Sequence, residues 1–123
     1  LMTAVETLKR ETAGKKVLAV ASVDFAHVGP AFDDQFNMDT TRRDKLRQQD
    51  HGLIDAVLEG NADSFYNQIA AVQDQNRVCG FSPIYLMLRY LNRQTTGTKV
   101  AYDHCPADNE DNSLVSISGL LID

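Results

Sequence analysis

The sequence predicts an α/β fold, a sheet with helices packed on it, in a single unit over residues 1–123. Three observations carry that expectation. Lys16-Val-Leu-Ala-Val-Ala-Ser-Val23 is an almost unbroken apolar run with lysine before it and aspartate after it, the pattern of a strand buried on both faces. The middle of the chain repeats apolar residues at helical spacing. The end of the chain holds two β-rich segments, Thr98–Asp103 and Ser113–Ile122.

The elements follow in order. Met2, Val5 and Leu8 recur at helical spacing, and Gly14 stands where a helix C-cap belongs. This helix starts abruptly, without a capping residue or an initiator methionine, as expected of a chain cut from something longer. The apolar run 16–23 gives the first strand. Asp24 to Met38 then forms a long loop with Gly29, Pro30, Asp33 and Asp34, and a long loop after a buried strand is a common place for function. Asp39 or Thr40 caps a polar helix to about Gln49. Leu53, Ile54, Val57 and Leu58 mark a second short helix, closed by Gly60. Asp63 is a fitting N-cap for Ser64 to about Gln75, with Phe65, Ile69 and Val72 inward. Ser82-Pro83 opens a further helix, proline at its first position, with Ile84, Met87, Leu88 and Leu91 on one face.

Composition narrows the function. Net charge is −5, from 12 basic and 17 acidic residues. The densest basic run, Thr41-Arg-Arg-Asp-Lys-Leu-Arg47, reads as a solvated helix face, so no nucleic-acid binding is expected. No apolar run approaches a membrane span, and the charges throughout Leu1–Ala13 argue against a signal peptide. Two cysteines, Cys79 and Cys105, do not make a secreted disulfide framework, so a reduced, cytoplasmic setting is expected, with a disulfide between them left open.

Two segments carry chemistry. Ser22-Val-Asp24-Phe-Ala-His27-Val-Gly29 places an acid and an imidazole three residues apart. Asn76-Arg-Val-Cys79-Gly-Phe-Ser-Pro-Ile84 places a thiol just before a helix. Negative charge is favoured at a helix N-terminus, and a thiolate binds soft or borderline metals. A carboxylate three residues before a histidine can accept a proton from one ring nitrogen and leave the other free as base or ligand. On residues alone, Cys79 reads more readily as a small hydrophobe packed behind a helix. Asp24 and His27 read equally well as a turn cap and a packed ring. Asp33–Asp34 reads as a solvated loop rather than a metal-binding pair. The tyrosines Tyr85, Tyr90 and Tyr102 read as core and rim residues, and His104–Cys105 lacks the second pair that a metal site needs.

These two segments, in this order, resemble the Memo-like family. Its first motif, Ser-Ser-Asp-Phe-x-His-x-Gly, is matched by Ser22 to Gly29 with Val23 replacing the second serine. Its second, Cys-Gly-x-x-Pro-Ile, is matched by Cys79, Gly80, Pro83 and Ile84. A closing Ser-x-x-Gly-x-Leu strand is matched by Ser116, Gly119 and Leu121. The resemblance covers nearly the whole chain. It implies a C-terminal portion of a larger Memo-like domain, related in fold to class III extradiol dioxygenases, which are non-haem iron enzymes. It implies a pocket in which Cys79 is a metal ligand, His27 a general base and Asp24 its neighbour. It implies iron or copper, held weakly or not at all by these residues alone, because two further histidines of the family have no counterpart here. His51 and His104 lie outside the motifs and inherit nothing. Val28, where an aromatic often follows the histidine, and Phe81-Ser82 depart from the pattern and bear on ligand choice.

Three functions follow as expectations. The first is a dioxygenase-like metal-dependent oxidoreductase, inactive as this stretch alone. The second is a module that binds phosphopeptide or protein through the same pocket, an activity linked to the family. The third is an assembly unit whose partner is the missing N-terminal half or a second copy, since a buried strand at 16–23 needs neighbours on both edges.

Overall fold

Residues 2–12 form a helix because Val5 finds cover while the rest of that turn stays solvated. In the computed structural model, which describes residues 1–123, α1 runs Met2–Thr12. No side chain caps it at Leu1, as its sequence predicts. Thr12 Oγ1 lies 2.7 Å from Tyr90 Oη, which ties its end to a later helix.

The central helix α2 is continuous over Thr40–Leu58. Asp39 caps it, its carboxylate accepting from the Arg42 amide at 2.8 Å. The expected break between a polar helix and a second short one does not occur. One internal glycine, Gly52, costs only about 1 kcal/mol relative to alanine. Leu46, Asp50, Leu53, Ile54 and Val57 meanwhile make one unbroken buried face. Helix α3, Ala62–Ala71, takes Asn61 rather than Asp63 as its cap. Asp63 sits one position into the first turn and pairs with Arg89. This helix stops before Gln75 because Gln73 and Asp74 adopt left-handed conformations. Helix α4, Phe81–Leu91, begins at Phe81 with Gly80 at the cap. Pro83 thus falls in the first turn, where its missing N–H is not needed.

The sheet has three antiparallel strands in the order β1-β3-β2. Strands β2, Gly97–Pro106, and β3, Leu114–Ile122, pair along their length, with a bulge between Lys99 and Ala101. Strand β1 is short, His27–Val28, and pairs with Val115 and Leu114. Two core clusters lie beside the sheet. One joins Phe25 to α2, α3 and α4, and the other joins Ala26, Val28, Met38, Leu46 and Leu114. No helix is long and apolar enough to cross a membrane.

The mixed α/β class is borne out, but the apolar run at 16–23 is not a buried strand. It carries no ladder, and Val17, Leu18 and Val20 are exposed, Leu18 to 88%. A strand buried on both faces needs partner strands, and none among residues 1–123 pairs with this segment. Only Ala21 and Val23 dip toward the core.

Candidate metal centre

The loop Asp24–His27 is fixed by backbone bonds to two other segments. The Phe25 amide donates to the Ser116 carbonyl at 2.9 Å, and the Ser116 amide donates to the Ala26 carbonyl at 3.0 Å. The Ala26 amide donates to Ser116 Oγ, also at 3.0 Å. On the other side, the His27 amide donates to the Asn76 carbonyl, the Cys79 amide to Phe25 and the Gly80 amide to Asp24. The two motif segments are thereby laid against each other.

Glycine is required at both motif positions. A Cβ on Gly80 would meet the Asp24 carbonyl oxygen at 2.7 Å and Val23 Cγ2 at 2.8 Å, so only glycine lets the cysteine loop approach this closely. Gly29 has φ +106, and a Cβ there would lie 2.6 Å from the Asn112 carbonyl oxygen.

The result is one cluster. A ligand atom from each of Asp24, His27 and Cys79 lies within 4.8 Å of the others. His27 Nε2 is 4.0 Å from Asp24 Oδ2. Cys79 is exposed, and both cysteines are free thiols. The orienting of the ring differs from the carboxylate arrangement its spacing predicts. His27 Nδ1 lies 3.2 Å from two carbonyl oxygens, those of Phe25 and Arg77. Carbonyls only accept, so Nδ1 carries a hydrogen, and Nε2 is the ring nitrogen on the Asp24 side. Phe32 meets the ring edge-on at 5.2 Å.

A thiolate, an imidazole and a carboxylate suit iron, copper or zinc. Donors about 2.0–2.3 Å from one tetrahedral ion stand roughly 3.3–3.8 Å apart. The present spacing is therefore slightly open, and three donors leave room for others. The residues fit part of a metal site.

Two features escape a motif-based reading. Asp34, expected in a solvated loop, forms a two-point ion pair with Arg77, and its Oδ2 accepts from the Gly29 amide at 2.8 Å. Burial alone would raise its pKa. The Arg77 guanidinium and the Gly29 amide outweigh that and hold the carboxyl below its ordinary value. Asp50 is fully buried in α2. Its Oδ2 accepts from Tyr102 Oη at 2.6 Å, Tyr102 Oη lies 2.8 Å from His104 Nε2, and Asp50 Oδ1 has no hydrogen-bond partner. Burial pushes the Asp50 carboxyl up despite the Tyr102 and Ser116 hydroxyls. The same burial, with Asp50 alongside, pushes the Tyr102 phenol up. The signal was available, since positions 46, 50, 53, 54 and 57 share one helix face and Asp50 is the one polar residue among them.

Fold and cluster together define a mixed α/β unit that gathers a cysteine, a histidine and an aspartate from two segments. The Memo family, described as Memo-like protein, matches residues 1–121, and the chain belongs to it. Comparison with curated proteins gave no significant match.

Proposed function

We propose that this chain contributes the thiolate, imidazole and carboxylate of a metal-dependent, dioxygenase-like oxidoreductase site. The observation that carries the reading is the convergence of Asp24, His27 and Cys79 within 4.8 Å from segments about fifty positions apart. Iron or copper, when bound, would supply the redox chemistry. Cys79 is the ligand. His27, its Nδ1 hydrogen held by carbonyls, presents Nε2 to take a proton from a substrate hydroxyl, and Asp24 stabilises the imidazolium that results. One ligand is fewer than the three or four a metal site needs, so these residues alone are expected to hold metal loosely and to consume no oxygen.

Cobalt titration tests the reading. A saturable cobalt–thiolate charge-transfer band, absent in Cys79→Ser, is the expected result. Equal cobalt uptake by the parent chain and by Cys79→Ser would overturn it.

A second reading, a protein-binding or assembly module, is favoured by one observation. The segment 17–23 lines an apolar groove of about 470 Å³ together with Phe25, Ile84, Met87, Leu91 and β3. The fitting partners are the N-terminal half of a Memo-like domain or a second copy. Association that survives chelation, measured by light scattering, would support it.

A further inference from the structure

We propose that Arg77 and Asp34 form a clamp that positions His27, presenting Nε2 and not Nδ1 to the site. The proposal rests on the metal-site reading for its purpose, and on geometry for its substance.

His27 is held at three of its atoms, and Arg77 reaches two of them. The Arg77 carbonyl accepts from His27 Nδ1 at 3.2 Å. Arg77 Nη1 donates to the His27 carbonyl oxygen at 3.3 Å. The third atom, the His27 amide nitrogen, donates to Asn76, the residue before Arg77. The guanidinium also closes a fork on Asp34, Nη2 to Oδ1 at 2.9 Å and Nη1 to Oδ2 at 3.2 Å. Asp34 in turn takes the Gly29 amide. The ion pair therefore latches the loop after His27 to the loop before Cys79.

Arg77 stands at φ +49, a left-handed conformation uncommon for a residue with a side chain. Such a conformation persists where surrounding bonds over-determine it. Here it aims the Arg77 carbonyl at the imidazole while the side chain turns back to Asp34. The Asp34 side chain is only 12% exposed, so the pair is less screened than a surface ion pair. A planar fork that spans a carboxylate and a carbonyl at once is a task for arginine and not lysine. Arg77 and Asp34 touch none of the reacting atoms, and their role is to position.

The test reads the His27 tautomer by two-bond ¹H–¹⁵N correlation in the metal-free full chain, at one fixed pH where the ring is neutral. The parent chain is expected to show a single Nδ1–H tautomer. Arg77→Met and Asp34→Asn are expected to give a mixture of the two tautomers with the fold intact, and Arg77→Lys an intermediate mixture. Cobalt affinity, which Cys79 carries, is expected to change less than about threefold in Arg77→Met, because the clamp acts on the base and not on the ligand. An Nε2–H tautomer in the parent chain, or an unchanged tautomer in either folded variant, would overturn the clamp. Absence of the cobalt–thiolate band from the parent chain would overturn the metal reading and leave the tautomer result standing.

Discussion

Ser116 Oγ accepts the Ala26 amide at 3.0 Å from a fully buried position on β3. Together with the two backbone bonds between Phe25–Ala26 and Ser116, this side chain holds the loop that carries Asp24 and His27 against the sheet. Ser116→Ala leaves the buried Ala26 N–H without that acceptor, at a cost of about 1–3 kcal/mol. Denaturant unfolding is expected to show a lower midpoint at unchanged slope, while Ser118→Ala, at a half-buried position in the middle of the β2–β3 ladder, changes less.

Gly80→Ala forces a Cβ to within 2.7 Å of the Asp24 carbonyl oxygen. Overpacking of this kind costs about 1–3 kcal/mol. The strain is relieved by separating the two motif loops. Loss of the cobalt–thiolate band in a protein that still unfolds cooperatively is the expected signature. Retention of both band and stability would mean the loops do not need this approach.

Asp50 predicts a pH dependence. Its carboxyl is raised in the folded state, so between the ordinary carboxylate range and that higher value the folded chain binds more protons than the unfolded one. Its contribution to stability is thus fully present below about pH 4 and declines as pH rises through the folded value. Asp50→Asn cannot ionise and is expected to flatten the fall in stability on going from pH 4 toward neutrality. Thermal melts of both proteins at several pH values check this, and parallel curves would contradict it.

Leu18 and Val20 are exposed, to 88% and 74%. Leu18→Lys with Val20→Lys is expected to shift unfolding by no more than about 0.5 kcal/mol per site, the usual range for surface positions. The same change is expected to reduce association seen by light scattering, since it breaks an apolar patch. Large destabilisation of the monomer would instead place this segment in a buried strand.

The sequence by itself determined whatever depends on local pattern. A cap at Asp39 or Thr40, the helix opening after Cys79 and the two closing strands all follow from residue types at short spacing. The pairing of the Asp24–His27 and Cys79 motifs was legible through their resemblance to one family. Tertiary structure decided the rest. Lys16–Val23 has the composition of a strand, but a strand exists only when a neighbour accepts its hydrogen bonds, and composition cannot show whether one is there. A helix to about Gln49 and another marked by Leu53 to Leu58 read as separate until the continuous face from Leu46 to Val57 is seen buried. Asp34 became half of a clamp because Arg77, distant in sequence, was folded against it. The histidine tautomer, on which the proposed chemistry depends, was set by two backbone carbonyls. Every residue has such a carbonyl, so only the fold decides which one meets the ring.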